Sequence, residues 1–400
     1  MPLYDVADLI VIGDAEEPLP KLLRLWERHG NAAGFLVAAS TVRGVFVPAH
    51  HDPREAVIEQ AVARDIGITM REEIVVNTDG TRRVEIARGC QYKCTFCSLG
   101  WRTPVRENSA ADVIATIGTS SRKVHLQAGD AESHTGIVEI RAALAAHGGR
   151  DQGWTGRLDT LLDNPDTEIP GHKKYAFGIE GISHRLRAAV GKGYLTDERL
   201  IADTLAFFGR VEESSAGRGA WHLIAGLPTE RREEVLDLLA VVTEIDRRWR
   251  GKRSRNLMLH WQPFQPLPGT PMQWCAAGAG AGKLAGYLRG AERQDWVRVR
   301  QLTGRTDDVA RVCTILSRSD TRGADLLDAM ADRRVTSDEA RAITGATDGA
   351  LDPDAPLPWD FIRQHYGRDK LRRAYDVMMR RLADAPRVDG SAEELREVAG

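Results

Sequence analysis

Apolar and polar positions in the first 82 residues predict a small α/β piece. Residues 8–13 form a continuous apolar run that ends in glycine, which is typical of a buried parallel strand. Leucines and a tryptophan then recur at helical spacing over residues 18–29. Two more short strands are predicted within residues 34–48, and a helix over residues 56–63. The piece is short for an independent domain.

From residue 83 the pattern changes to short apolar runs that alternate with amphipathic segments. The runs predict six strands, at residues 84–86, 124–126, 154–158, 176–179, 222–225 and 257–261. The helix after the fifth strand is well marked, because apolar residues recur at helical spacing over residues 235–245 behind Thr229 as a candidate cap. Strands separated by helices imply a parallel sheet, so we predict one α/β unit over residues 83–275.

The remaining residues, 276–400, are predicted to form a linker and a helical region. The glycines after Cys275 do not make a phosphate-binding loop, because no strand precedes them and Leu284 lies where such a loop requires Ser or Thr. We interpret them as a linker. Beyond Leu284 the chain is rich in Arg, Ala, Leu and Asp with helical periodicity.

Composition indicates the class of protein but does not indicate what the protein binds. Four hundred residues with 42% hydrophobic content can bury a substantial core, and a formal net charge of −2 gives no general attraction to nucleic acid. A basic cluster over residues 247–255 could clamp phosphates, although a solvated loop is the favoured interpretation. We find no basic start followed by an apolar segment and no apolar run of about 18 residues. These features predict a cytoplasmic protein with no membrane partner.

Three closely spaced cysteines carry the chemistry of the chain. Cys90, Cys94 and Cys97 lie in a C-x3-C-x2-C pattern, whereas Cys275 and Cys313 are isolated. Three thiolates suit a four-iron, four-sulfur cluster with one open iron, because such a cluster normally takes four. A structural zinc site is the alternative, with His125 or His134 as a further ligand, and a disulfide framework is disfavoured by so few cysteines.

This pattern, with Phe96 just before Cys97, resembles the signature of the radical S-adenosylmethionine (SAM) superfamily. The resemblance implies that the cysteines ligate a 4Fe-4S cluster whose open iron binds SAM. Reductive cleavage of SAM would then give a radical that takes a hydrogen atom from a substrate. The fold implied is a partial (β/α)6 TIM-like barrel, with a short N-terminal α/β remnant and a helical C-terminal extension.

Further segments resemble the SAM-binding elements of the superfamily. Gln127 and Asp130 lie where a Gly-Gly-Glu turn usually meets the methionyl amino group, although that triplet is absent. Glu180 and Arg187 would meet the ribose and carboxylate. A Gly-Leu-Pro-x-Glu turn and Phe96 would lie near the adenine. The residues assigned to SAM are therefore Phe96, Gln127, Asp130, Glu180, Arg187, Gly226, Leu227 and Pro228. From the residues alone, Asp130, Glu132 and His134 fit either a substrate contact or a solvated loop.

Residues 262–274, 317–322 and 358–362 resemble a branch of radical SAM proteins that carry a cobalamin-binding domain. Residues 8–17 and 44–48 look like only the end of such a domain, and the Asp-x-His-x-x-Gly cobalt-ligand motif is absent. Cobalamin is therefore not assigned as an established cofactor. A companion chain could complete the domain.

Taken together, these features predict a radical SAM enzyme that abstracts a hydrogen atom from a nucleobase, nucleoside or related metabolite. Rearrangement or group transfer would follow, and an external one-electron donor would be needed. One alternative is a cobalamin-dependent radical SAM methyltransferase. The alternative of another class is a non-catalytic zinc or cluster protein that binds nucleic acid or a protein partner.

Overall fold

Parallel strands in two separate sheets form the centre of this mixed α/β protein. The computed structural model describes residues 2–66, 80–118, 123–152, 157–163, 175–212, 219–250, 257–278, 297–301 and 306–383. Among these residues, no helix combines the length and the apolar character needed to cross a membrane.

The N-terminal piece pairs its strands differently from the prediction. Its elements are β1 (Ile10–Val11), α1 (Pro18–His29), α2 (Ala32–Ala39), β2 (Val45–Phe46) and β3 (Ile58–Glu59). Helix α1 confirms the predicted helix, but β1 pairs antiparallel with β2, so the predicted parallel strand was wrong in direction. The first strand predicted within residues 34–48 is instead helix α2. The Asn31 side chain caps the N-terminus of this helix, because it accepts a hydrogen bond from Gly34 N at 2.9 Å.

A small parallel sheet follows. Its region contains β4 (Arg82–Glu85), β5 (Ala87–Arg88), α3 (Leu99–Arg102), β6 (Arg106–Glu107), α4 (Ala110–Ile117), β7 (Lys123–Gln127), α5 (Ile137–Ala146), β8 (Arg150–Asp151) and α6 (Leu158–Asp163). The sheet order is β4-β7-β8, with Val84 opposite Leu126. The third strand ends before the position predicted for it. Leu158 begins a helix, and residues 153–156 lie outside the described residues.

A larger parallel sheet contains the remaining predicted strands and one that the sequence analysis missed. The elements are β9 (Tyr175–Glu180), α7 (His184–Ala189), α8 (Asp197–Glu212), β10 (Gly219–Ala225), α9 (Glu234–Arg248), β11 (Leu257–Pro263) and β12 (Val297–Gln301). The sheet order is β12-β11-β10-β9. Strand β12 lies in the region predicted to be linker and helices. Within the described residues, the two sheets are not paired with each other and close no barrel.

Helices dominate the C-terminal region, as predicted. They are α10 (Asp307–Arg318), α11 (Gly323–Asp332), α12 (Ser337–Thr344) and α13 (Arg368–Ala383), with strand β13 (Ile362–Arg363) before the last. Strand β13 pairs parallel with β3, Ile362 lying opposite Ile58. This pairing explains why residues 56–63 do not form the predicted helix, since their backbone is extended against a partner about 300 residues away in sequence.

Candidate functional site

The three clustered cysteines lie on one loop, residues 89–98, which we call the cysteine loop. It follows β5, beyond the carboxyl end of the small sheet, where parallel α/β folds place active sites. Cys90, Cys94 and Cys97 are half-buried free thiols. The loop closes on itself, because Cys97 N donates to Cys94 O at 3.1 Å and Trp101 Nε1 donates to the same oxygen at 2.9 Å.

The cysteine loop bridges the two sheets. On the small-sheet side, Cys90 lies against Gly129, where an added Cβ would approach the Cys90 Cβ to 3.2 Å. On the large-sheet side, Thr95 N donates to Val190 O at 3.2 Å, and Phe96 packs against the large-sheet core. The spacing between Cys90 and the other two thiols therefore depends on how the two sheets are held together.

Burial controls the protonation of these thiols. Desolvation raises the pKa of all three above the usual range, and it raises that of Cys94 to about 11. Nearby Lys192 lowers the Cys94 pKa, and Glu180 raises it. The metal-free thiols are therefore protonated at neutral pH. A metal bound by these cysteines would have to displace the protons, because the thiolate is the form that ligates metals.

The three cysteines are the candidate donors for a metal ion or a cluster. Among the described residues, no three His, Cys, Asp or Glu side chains come close enough to hold one metal ion. Both ring nitrogens of His134, a candidate zinc ligand, have structural partners: Nε2 bonds with Asn108 O at 2.9 Å, and Nδ1 accepts from Gly136 N at 3.0 Å. A 4Fe-4S cluster requires a different arrangement. Each cysteine would bind a different iron, so the three cysteine sulfurs would be separated from one another.

The Asp130 carboxyl lies buried beside the cysteine loop. The residue is 7% exposed, and neither carboxyl oxygen accepts a hydrogen bond of normal geometry among the described residues, although Arg157, the Ser133 hydroxyl and the Glu132 amide lie close enough to lower its pKa. Burial raises its pKa to about 6, and the Asp130 charge in turn raises the pKa of Cys90. A buried carboxylate fits a cationic group of a ligand. Gln127, the last residue of β7, is exposed at the same edge.

Glu132 and Glu180, two acids close to this edge, both have cationic partners. Glu132 pairs with Arg141. Glu180 ends β9 with a left-handed φ of 68° and pairs with Lys192 at 3.1 Å. Lys192 also donates to Gly178 O, and a Cβ on Gly178 would clash with Glu180 Oε1 and lie 2.8 Å from Lys192 Nζ. Gly178 therefore makes room for this ion pair.

Arg187 already has partners within the chain. Its side chain is fully buried, donates to Leu195 O at 2.7 Å and pairs with Asp197. Burial lowers the pKa of Arg187. The assignment of its guanidinium to the carboxylate of SAM stays a prediction.

The Gly226-Leu227-Pro228 turn follows β10 at the same edge of the large sheet. The amides of Gly226 and Leu227 donate to the Glu230 carboxylate at 3.0 and 3.3 Å. Burial raises the pKa of Glu230 to about 7. Both amides therefore have acceptors within the chain, and the assignment of this turn to adenine stays a prediction.

Two features of the site were not foreseen in the sequence. The Arg157 guanidinium lies between the rings of Tyr92 and Tyr194, 4.0 and 3.8 Å from their centroids. His222 and His260, in register on β10 and β11, make an edge-to-face ring contact at 5.4 Å. No sequence motif marks either contact. The residues in each are far apart in sequence, and only the tertiary fold brings them together.

Three segments that resemble the cobalamin-domain branch meet beside the cysteine loop. Trp274 and Trp359 share an apolar cluster with Trp101. Arg318 donates to Cys275 O at 2.6 Å and to Gln273 O at 3.0 Å, and Trp359 Nε1 donates to Gln273 Oε1 at 2.9 Å. These residues support the loop from outside the sheets.

The basic cluster predicted over residues 247–255 is partly neutralised. Arg247 and Arg248 both pair with Glu244, and Trp249 is buried. Residues 251–256 lie outside the described part of the chain. The described part of the cluster favours a structural role over a phosphate clamp.

No protein-family model matches the chain, and no curated protein matches it significantly.

Proposed function

We propose that this protein is a radical SAM enzyme. The proposal covers a 4Fe-4S cluster on Cys90, Cys94 and Cys97, a partial (β/α)6 barrel around it and an external one-electron donor. The substrate class is a nucleobase, nucleoside or related metabolite, from which a hydrogen atom is removed. When bound, a three-cysteine cluster with SAM supplies reductive cleavage of the sulfonium to a 5′-deoxyadenosyl radical.

One observation carries the proposal. Three thiols from one loop lie at the carboxyl edge of parallel strands, next to the buried Asp130 carboxyl, whose oxygens accept no hydrogen bond of normal geometry among the described residues. Three thiolates leave one iron open, and a buried carboxylate suits an ammonium group close to that iron.

The residues of the chain have distinct roles in this proposal. Asp130 binds the methionyl ammonium group through charge-assisted hydrogen bonds. The Glu180–Lys192 pair sets the local charge beside Cys94 and Cys97. Arg157 fixes the cysteine loop through Tyr92. Phe96, which packs against the large-sheet core, anchors the second half of the loop, and its ring would lie near the adenine of SAM.

The test is anaerobic reconstitution of wild type and two cysteine variants. Wild type is expected to bind about four irons with sulfide and to convert SAM to 5′-deoxyadenosine under reducing conditions. Cys94→Ala should lose both properties. Cys313→Ala removes a half-buried cysteine on α10, far along the chain from the loop, and should retain both.

One zinc per chain without SAM cleavage would favour the non-catalytic alternative. Cleavage by Cys94→Ala would overturn the ligand assignment. Deuterium transfer from labelled nucleosides into 5′-deoxyadenosine would identify the substrate class, and methylated product that requires added cobalamin would favour the methyltransferase alternative.

A further inference from the structure

The two faces of the large sheet carry very different side chains. On one face, Phe177, Trp221 and Trp261 share an apolar core with residues of α8 and α9 and are at most 2% exposed. The residues that alternate with these along each strand lie on the other face. Apart from Ile224 and Met258, these residues of the strand interiors are small or polar. We call six of them the polar face: Ala176, Gly178, Ala220, His222, His260 and Gln262.

A polar face is unusual for a parallel sheet. Parallel strands are normally covered on both faces and carry near-continuous apolar runs. On the polar face, Gly178, His222 and Gln262 are only half-buried, so a small molecule in solution can reach them. Small residues leave room for a ligand, and a few polar groups among them fix its orientation. The polar face is therefore a candidate ligand site.

Strand register places three residues of the polar face in one row. Gly178, His222 and His260 are register partners on β9, β10 and β11, and neighbouring strands are about 4.8 Å apart. The two imidazole rings touch edge to face, with their centroids 5.4 Å apart. On β12 the register partner of His260 is Arg300. Two imidazoles therefore lie side by side in the sheet, next to a strand that carries an arginine at the same level.

The row ends at the Glu180–Lys192 ion pair. A Cβ on Gly178 would clash with the Glu180 carboxylate and lie 2.8 Å from Lys192 Nζ, so both groups lie over Gly178. A β-bulge interrupts the pairing of β9 with β10 at this point, and bulges commonly redirect side chains next to active sites. The Glu180 charge raises the pKa of two thiols of the cysteine loop, and the Lys192 charge lowers it. The row therefore begins beside the cysteine loop.

The charges along this row favour an anionic ligand. The Glu180 carboxylate is offset by Lys192 at 3.1 Å. Imidazoles donate N–H hydrogen bonds, and a hydrogen bond to an ionised oxygen is about twice as strong as one between neutral groups. A metal ion fits less well, because no three His, Cys, Asp or Glu side chains of the described residues come together to hold one.

We propose that His222 and His260 bind an anionic oxygen group, a phosphate or a carboxylate, of the substrate. Identifying the bound molecule as the substrate rests on the proposed function, whereas the anion site itself does not. Each imidazole donates one N–H to the anion, and no bond is made or broken. A nucleotide or an acidic metabolite then fits the site better than an uncharged base or nucleoside. From the anchored group, the rest of the molecule extends along the row towards the cysteine loop.

Protection of single histidines from chemical modification measures binding at this site. Diethyl pyrocarbonate modifies imidazoles, and trypsin releases His147, His222 and His260 in separate peptides that contain no other histidine. Inorganic phosphate or acetate is added to the anaerobically reconstituted protein. Modification of His222 and His260 should slow about threefold or more once the anion exceeds about twice its dissociation constant. His147, exposed at the end of α5, should react at an unchanged rate.

Two substitutions separate binding from packing. His222→Phe keeps a ring against His260 but removes the hydrogen-bond donor. Calorimetric titration should therefore show phosphate binding weakened about tenfold, while the free energy of unfolding changes little. His260→Gln should weaken binding to a similar extent. His147→Gln, the matched control, should bind phosphate as wild type does. Wild-type phosphate binding by His222→Phe would show that the two rings only pack together.

The outcomes separate this inference from the proposed function. If wild type cleaves no SAM but phosphate protects both histidines, the proposed function is wrong and the anion site remains. If wild type cleaves SAM but phosphate and acetate protect neither histidine, the anion inference alone is overturned. Equal protection by uridine, an uncharged probe, would overturn it as well. Stronger protection by phosphate than by acetate assigns a phosphate ester as the group bound, and the reverse assigns a carboxylate.

Discussion

The small and large sheets support the cysteine loop with very different cores. The core of the large sheet contains aromatic side chains from its strands and from α8, among them Phe177, Phe207, Trp221 and Trp261. The small sheet packs aliphatic residues alone, such as Val84 and Leu126. By sequence the loop continues the small sheet, yet its second half is bonded to the large one. The position of the thiols is therefore a property of both sheets together.

Large-to-small substitutions in the two cores should separate these contributions. Phe177→Ala is expected to lower the free energy of unfolding by about 4 kcal/mol, and Leu126→Ala by about 3 kcal/mol. Local opening should then expose Cys94 and Cys97 to alkylation in the first variant, and Cys90 in the second. Trypsin cleavage after Lys93 places Cys90 and the other two thiols in different peptides, so mass spectrometry measures each group separately. Equal labelling of all three thiols in both variants would show instead that the sheets open as one unit.

The pH dependence of stability that Glu230 causes, in the turn after β10, tests the large sheet alone. The folded Glu230 carboxyl has a pKa of about 7, above its usual 4.5, so between these values it holds a proton that the unfolded chain releases. Wild-type stability should therefore fall as the pH rises through this window. Glu230→Gln should remove that fall and gain roughly 3 kcal/mol over wild type at pH 8, with no difference near pH 4. Urea unfolding at several pH values provides the measurement.

Glu234 is a control for Glu230, because its pKa is shifted in the opposite direction. Burial raises its pKa, but hydrogen bonds from Arg185 and Ser183 outweigh burial and hold the pKa below the usual range. The stabilisation from Glu234 is therefore present above about pH 4.5 and lost as the pH falls through its folded pKa. Glu234→Gln should destabilise the protein at pH 8. If both glutamine variants are more stable than wild type at pH 8, the opposite pKa shifts assigned to Glu230 and Glu234 are wrong.

The smallest effects are expected from alanine at two glycines that touch the loop. A Cβ on Gly129 would come within 2.8 Å of Gly89 O, and Gly191 has a φ of 92° with Cys94 Cα 3.4 Å from such a Cβ. Each substitution should cost about 1–2 kcal/mol, measured by urea unfolding. Gly129→Ala should change the rate at which Cys90 is alkylated, and Gly191→Ala should change the rate for Cys94.

Gly209→Ala is the control for these glycines, because the site lies in α8 with open space around it. It should stabilise the protein by about 0.5–1 kcal/mol. If Gly129→Ala and Gly191→Ala behave like this control, the loop is not packed against the sheets as described.

Local sequence patterns predicted the elements whose partners lie nearby. The helix from Pro18 and the strands β9 to β11 follow from apolar spacing, because their buried faces are continuous in sequence. The two-residue strand Ile58–Glu59 could not be predicted, because its partner Ile362–Arg363 is distant. Strand β12, Val297–Gln301, alternates apolar and polar residues, and the helical pattern around it hid this signal.

The same distinction holds for the candidate site. The three cysteines are recognisable from spacing alone, since ligands on one loop need no tertiary information. Arg157 between Tyr92 and Tyr194, and Lys93 beside Tyr366, join residues tens to hundreds of positions apart. Asp130 was named from its place after a strand, but its burial and the hydrogen bonding of its oxygens emerge only from the fold.

The β3–β13 pairing has a consequence for synthesis of the protein. Ile58 leaves the ribosome about 300 residues before Ile362, its partner in the sheet. The amino-terminal piece therefore stays incomplete until Ile362 has been translated. By then the cysteine loop and every strand of the two parallel sheets have already been synthesised.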